Sequence, residues 1–490
     1  MKDDLFSRLL ASQGPVLSCV KDENHYLPAG YEVAHNTGRW WEAALILKET
    51  TGMEIPSRTY KAMLINFHAL TGNPYGLLLN DVEVVGGGTL NYHNLRESLL
   101  ACATLIEYTD SKHAKRCAET LFDTIDRRFF KKTLSDAEIC EKLGVVISTD
   151  TMLVRPDDDV YREDDYTSTT GRAIEGMYRY WKATNSPLAL EIMKKTVSFH
   201  KEHSVCADGS APAWLVDTYH TGHNHSYLGT LRGLLLYALE FGDGELIESI
   251  YLTYKKTIPA YCVDNTGYAP HDLGLLRFPD EWGDPVGDHG SCIDKAYIAY
   301  LLATCAGYDE LLDDVEEMIR GRIFYSQMTD EENYGAWGTF CGYFGANAVI
   351  DVYCLIAATL CRVYKSFITE KEDGIYVSLH FSGDCAAATV VAERSDVQIT
   401  RITPHVAKPL YIRIPAWCDG SSIRVSVEDG DVEYLRKGVW LVVNGVNAGK
   451  TVEISFDLPT RESFGKTWVS DQHYKLCWKG DTLVSTERIK

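Results

Sequence analysis

The sequence predicts a mainly α-helical fold with a β domain: an (α/α)6 barrel of helical hairpins over residues 1–367, then a β-sandwich over 368–490. Three observations carry this. A unit of two amphipathic helices joined by a tight turn recurs with a period of roughly 50–60 residues, the mark of an internal repeat. Long irregular stretches (145–170, 204–225, 262–291) separate the units. Near residue 368 the apolar pattern changes from a helical spacing to strict alternation.

In chain order, residues 1 to about 34 read as a short helix and a loop. RWWEAALILKETTG (39–52) ends at a Gly stop, and PSRTYKAMLINFHALTG (56–72) begins on Pro and ends in a second TG. The same pair returns four times: 94–111 with 112–130, 171–186 with 187–203, 226–244 with 245–261, and 292–309 with 310–327. NAVIDVYCLIAATLCRVYKSF (347–367) is a last long helix. One hairpin cannot bury its apolar stripe alone, whereas about six stacked pairs can close into a ring. The first helix of each pair mixes Tyr, Trp and Arg with apolar residues and suits an inner wall. The second is richer in Lys and Glu and suits an outer one. An open α-superhelix is the competing arrangement; the long loops favour the closed barrel, because they can gather at one mouth and build a pocket.

Beyond 368, IYVSLHFS, AAATVVAE, VQITRITP, LYIRIPAW, SIRVSV, VWLVV and TVEISFDLP alternate apolar with polar residues and are rich in β-branched types. Short strands with Gly, Asp and Asn turns predict a sandwich. The charged stretch TEKEDG (369–374) reads as the linker between the two domains.

Composition narrows the function. The chain has 490 residues, of which 45% are hydrophobic and 24% charged, and a net charge of −21. So acidic a protein is a poor partner for a nucleic-acid backbone or an anionic membrane. No apolar run reaches the roughly 18 residues of a membrane span. The first residues, MKDDLFSRLLASQGPV, hold no apolar signal core, so a cytoplasmic location is expected. The 14 cysteines include no CxxC pair and are expected to be reduced.

The richest stretch is EWGDPVGDHGSC, Glu281 to Cys292, a glycine- and proline-punctuated loop that runs into a helix. It offers Glu281, Trp282, Asp284, Asp288, His289 and Cys292, and loops on a rigid scaffold are where chemistry gathers. Its plain alternative is a solvated turn with a helix cap at Asp288 or Ser291. VVGGGTL (84–90) lacks the context of a phosphate loop and is set aside.

LYIRIPAWCDG and CWKGDTLV in the strands, with helix phrases such as CIDKAYIAYLLATCAGYD, resemble the β-L-arabinofuranosidase family of glycoside hydrolases. The best anchors are Arg413-Ile414-Pro415-Ala416-Trp417 and Trp478-Lys479-Gly480-Asp481. The resemblance implies an (α/α)6 barrel with β-sandwich modules, a glutamate acid/base, and a cysteine nucleophile on a zinc ion held by three cysteines and a glutamate. Carried over, the first ligand motif reads Gly290-Ser291-Cys292, keeping the cysteine and losing the glutamate. The second reads Phe340-Cys341-Gly342, with one cysteine where the family has two. The acid/base glutamate maps to Glu281. The full zinc set is missing, so no cofactor is required on this reading. Zn2+ held by Cys292, Cys341, Asp288 and His289 is the alternative, which would make Cys341 a thiolate nucleophile.

Without a metal, glycosidic cleavage needs two carboxyl groups, one protonated and one ionised. Glu281 beside the Trp282 ring is the expected acid. Asp284, Asp288, and Asp164 or Asp165 of YREDDYTSTTGRA are candidate partners; a capping cluster is the plainer reading of the last two. His223 and His225 of HNHSYLG open a further inner helix and can bind metal, meet sugar hydroxyls or move protons. His35, Arg39 and Trp40 of HNTGRWWE, and His93 and Arg96 of NYHNLRE, are expected in the pocket wall, with Tyr343 of GYFGAN. The expected ligand is a small carbohydrate and the leading reaction glycoside hydrolysis. A sugar epimerase or lyase of the same barrel class and a non-catalytic carbohydrate-binding protein are the alternatives. No nucleic-acid or membrane partner is expected, and assembly into a homo-oligomer is left open.

Overall fold

The structure is a computed structural model that describes residues 4–18, 33–79, 89–147, 166–216, 223–264, 267–271, 273, 287–341, 344–348, 350–427, 432–466 and 473–489. Twelve helices among these residues build the barrel: α1 (Leu5–Ser18), α2 (Val33–Thr51), α3 (Ser57–Thr71), α4 (Leu95–Thr109), α5 (Lys112–Ile125), α6 (Arg172–Thr184), α7 (Pro187–His203), α8 (Asn224–Phe241), α9 (Gly244–Thr257), α10 (His289–Ala306), α11 (Leu312–Met318) and α12 (Ile350–Tyr364).

The hairpin turns follow from local chemistry. Helices α4, α6, α8 and α10 end at Asp110, Asn185, Gly242 and Gly307, all with positive φ, a conformation that Gly, Asn and Asp adopt most readily. After the first three of these stops the next outer helix starts on a side-chain cap. Ser111 accepts from Ala114 N–H, Ser186 from Ala189 N–H with Pro187 in the first turn, and Asp243 from Leu246 N–H. A stop and a cap within two residues force the chain to reverse at that end of the barrel. The long connections are thereby left at the opposite end, where the inner helices begin.

The inner helices pack in the cyclic order α2, α4, α6, α8, α10, α12 and back to α2, so the ring is closed. It is an α/α barrel and not an open superhelix. Close approach of α2 to α4 depends on Gly38: a Cβ there would lie 2.5 Å from Glu97. Helix α1 packs on α12 and α2 and supplies the outer partner that the last inner helix lacks in its own part of the sequence. Trp40 Nε1 donates to the Val16 carbonyl across this contact.

The chain changes from helix to strand at residues 365–367. The TEKEDG stretch is not a linker but the end and turn of the first β hairpin, β1 (Ile368–Glu370) with β2 (Ile375–Val377). The remaining strands are β3 (Gly383–Asp384), β4 (Ala388–Arg394), β5 (Val397–Pro404), β6 (Leu410–Arg413), β7 (Arg424–Val427), β8 (Tyr434–Lys437), β9 (Trp440–Val443), β10 (Val452–Asp457), β11 (Thr460–Lys466), β12 (His473–Lys479) and β13 (Thr482–Ile489). Two five-stranded sheets have the orders β8-β9-β6-β2-β1 and β7-β10-β5-β4-β3, with only β2 and β6 parallel. Strict burial alternation along β5 marks one face turned to the core. Strands β11-β12-β13 form a separate sheet whose Tyr474, Leu476, Trp478 and Leu483 pack with Tyr268 of the helical part.

The two sequence anchors fasten strands to helices. Arg413 pairs with Asp313 and Glu316 of α11. Arg320, which follows α11, meets Glu316 at 2.7 Å and donates to the His380 carbonyl at 2.7 Å. Asp481 pairs with Arg394, and Trp478 lies against Gly321, where a Cβ would be 2.3 Å from its ring. Both motifs are therefore interface devices built from buried charge and one large ring.

Candidate active site at the mouth of the barrel

The first turns of the inner helices carry polar side chains into the ring. Glu97 on α4 is fully buried. Arg172 Nη2 donates to it at 2.6 Å, and Arg39 and Arg96 lie 3.1 and 3.3 Å from the same oxygen. Burial works to raise its pKa, but Arg172, His35, Arg39 and Arg96 hold the carboxyl well below its ordinary value.

Arginine can only donate, which fixes two histidine tautomers. His225 Nε2 lies 2.8 Å from Arg39 Nη2 and 3.1 Å from Arg96 Nη2, so it accepts from both. Its Nδ1–H then donates to Asp294 Oδ2 at 2.7 Å. His93 Nε2 accepts from Arg172, and its Nδ1–H donates to the Ser168 carbonyl at 3.1 Å. Burial, with Arg96 and Arg39 for His225 and Arg172 for His93, pushes both pKa values well below 6.5. Both rings are neutral with both nitrogens engaged, which suits orientation and not proton transfer.

His35 is stacked on His93 with ring centres 5.3 Å apart, and burial lowers its pKa to about 3. His223 lies 5.6 Å from His93 and 4.6 Å from His271. Its Nδ1 meets Ser226 Oγ at 3.0 Å, and its Nε2 stands 3.7 Å from Asp288 Oδ2. That separation exceeds a direct hydrogen bond, and burial, with His271 and His225 nearby, holds the His223 pKa well below 6.5. One layer deeper, Arg232 joins Asp294 (3.0 Å) to Glu175 (2.8 Å).

Asp288 caps α10: Oδ1 accepts from Gly290 N–H at 2.7 Å and Oδ2 from Ser291 Oγ at 2.9 Å. The cap seen in the sequence and the proximity to His223 are thus both present. Cys292 and His289 are buried beside it. Burial pushes the Cys292 thiol up to about 12 and the His289 ring well below 6.5, so Cys292 is a protonated thiol. Among the described residues no three His, Cys, Asp or Glu side chains stand together as metal ligands. The described members of the proposed set do not fit a zinc ion. Cys341 lies in the strand Gly338–Cys341; its side chain, like Glu281, Trp282, Asp284, Asp164, Asp165 and Tyr343, lies outside the described residues.

The structure thus brings together His35, Arg39, His93, Arg96, His223, His225 and Asp288. Trp40 is a correction. It is buried between α2 and α1, edge-on to Trp41 at 5.0 Å, because consecutive helical residues point about 100° apart and Arg39 takes the inward direction. Four residues of the site were not singled out from the sequence: Glu97, Arg172, His271 and Asp294. The first two sit in motifs already quoted, NLRE and TTGRA, and His271 follows YAP in the loop before α10.

No protein-family model and no curated protein matches the chain. Solved structures do. A β-arabinofuranosidase of family GH127 aligns over 98% of this chain and 80% of its own, with TM-score 0.61 and 14% identity. A GH127 β-L-arabinofuranosidase from Geobacillus stearothermophilus T6 aligns over 99% and 80%, with TM-score 0.57 and 13% identity. A sugar epimerase from a ruminal bacterium aligns over 73% of this chain and 98% of its own, with TM-score 0.52 and 12% identity. The likeness is one of fold, an α/α barrel followed by β sheets, and it is distant.

Proposed function

We propose that the chain is a glycoside hydrolase that takes a small glycoside, or the end of an oligosaccharide, in the mouth of the barrel. The observation that carries this reading is the Asp288 carboxylate at the head of α10, 3.7 Å from His223 Nε2 and directly after the loop that holds Glu281. A carboxylate with a second carboxyl on the same loop is the equipment of glycosidic cleavage. In this reading Glu281 protonates the leaving oxygen and Asp288 serves as the ionised partner. His223 exchanges a proton with Asp288, while His93 and His225, whose ring nitrogens are all engaged by Arg172, Ser168, Arg39, Arg96 and Asp294, hold those arginines in place. The full-length likeness to arabinofuranosidases, sheets included, supports an arabinofuranoside as the first substrate to try.

One observation favours a second reading. His223 and His271 face each other with ring centres 4.6 Å apart, a pair suited to removing and returning a proton in a sugar epimerase. Incubation with aryl furanosides and pyranosides, and separately with free aldoses followed by NMR, discriminates. Release of the aryl alcohol supports hydrolysis. Isomer formation without release replaces it with epimerisation, and saturable binding with neither reduces the protein to carbohydrate binding.

A further inference from the structure

We propose that the sugar bound in this barrel carries an acid group, a carboxylate or a phosphate, received by the guanidinium groups of Arg39 and Arg96; this rests on the carbohydrate reading above. The two side chains are 1% and 0% exposed. Together with Arg172 they share a single carboxylate, Glu97. Their other common partner, His225 Nε2, is a neutral acceptor and cancels no charge. Among the described residues, the further carboxylates that act on Arg96 are Asp294 and Glu175, and both are engaged by Arg232.

Donors are also left over. Nε and Nη1 of Arg39 and Nη1 of Arg96 are buried without a hydrogen-bond partner. Buried polar groups are normally bonded, and a buried charge without a counter-charge is costly. Arginine does not escape by losing its proton under ordinary conditions. Burial, and then the neighbouring charge of Arg39, lowers the pKa of Arg96, which is the response of a cation short of anions. Sugar hydroxyls would satisfy the donors but not the charge. A carboxylate or phosphate does both, and guanidinium groups match either. The N-termini of α2, α4 and α8 open at the same end, and their dipoles add to the positive field.

The test is calorimetric titration of the full chain with galacturonate, glucuronate, galacturonate methyl ester, glucose 6-phosphate, and neutral galactose, glucose and arabinose. An acid sugar is expected to bind about 10- to 100-fold more tightly than its ester or neutral parent, the ratio expected of a charge-assisted hydrogen bond. That preference should shrink in Arg39→Gln and in Arg96→Gln. Preference for the uronates identifies a carboxylate, and preference for the phosphate ester identifies a phosphate. Equal binding of acid and neutral sugars would overturn the acid subsite and leave the carbohydrate reading standing, whereas binding of none of them would overturn both. An acid preference undiminished in both variants would also overturn the assignment. If the variants lose the native circular dichroism spectrum, the acid against methyl ester comparison in the unaltered chain decides alone.

Discussion

Replacing Glu97 by Gln tests whether the buried charge layer holds the barrel together. The substitution keeps the volume but exchanges one carboxylate oxygen for an amide NH2 that faces guanidinium donors. Three cations lose their shared counter-charge: Arg172 at 2.6 Å, Arg39 at 3.1 Å and Arg96 at 3.3 Å. Removing one partner of a buried ion pair costs about 3–5 kcal/mol. The remaining amide oxygen still accepts one hydrogen bond, worth about 1 kcal/mol. The expected loss of unfolding free energy is therefore about 2–4 kcal/mol by the same measures. Equilibrium urea unfolding followed by far-UV circular dichroism reads it directly. The arginine neighbours hold the Glu97 carboxyl well below its ordinary pKa. Its contribution is thus fully present above the unfolded value of about 4.3 and lost only as pH falls through the lower folded value. The gap between parent and variant should accordingly stay constant from about pH 8 to pH 5, a window that lies above both values. A loss under about 1 kcal/mol, the size of an ordinary single hydrogen bond, would refute the claim that this cluster carries stability.

Four further outcomes are expected. Glu281→Gln should retain ligand binding and lose turnover by about 10²–10⁴-fold on glycosides with poor leaving groups; turnover within about threefold of the parent would remove Glu281 as the acid and pass the role to Asp288 or Asp165. Arg413→Ala leaves Glu316 with Arg320 as its remaining arginine and removes the cation from Asp313, so limited proteolysis should cut faster near the helix-to-strand change at 365–374, and an unchanged digestion pattern would count against the interface role. His35, His93 and His225 are kept neutral by burial, their folded pKa values lying below the unfolded value of about 6.5; the unfolded chain binds more protons, so melting temperature should fall as pH drops from about 7.5 to 5, and a flat profile would contradict their neutral state. Elemental analysis of protein purified without added metal should find zinc well below one per chain, whereas stoichiometric zinc abolished by Cys292→Ser or Cys341→Ser would restore the cysteine nucleophile.

The fold was legible where local chemistry decides it. Asp110, Asn185, Gly242 and Gly307 stand at left-handed helix ends, and those residue types announce a turn by themselves. The role of α1 was not legible, because its partner α12 lies more than 300 residues away and nothing in a short amphipathic helix names its neighbour. TEKEDG was misread because a charged, exposed turn of a hairpin and a linker have the same composition. At the site, polar residues at the starts of inner helices were found by position. Glu97 and Arg172 were passed over because each looks like an ordinary helix charge until the ring brings them together. Trp40 failed for the opposite reason: an aromatic next to an inward arginine was credited with a direction that helical geometry denies it. The strand motifs around Arg413 and Trp478 were legible as conspicuous, but only the packing reveals that they join helices to sheets.

The pairing of α1 with α12 has a consequence for how the chain is made. The ring closes by joining α2 to α12, so its last wall is supplied by residues 350–364, and α1 waits on them while the residues between are made. Until then α1 and the flank of α2 present an apolar seam to the ribosome's surroundings, a state prone to aggregation and to capture by chaperones. Closure over such a separation is slow because the entropy of the loop must be overcome before any contact repays it. Deleting residues 1–18 would leave the apolar flanks of α12 and α2 open, so an N-terminal truncation should behave as damage to the end of the barrel and not to its beginning.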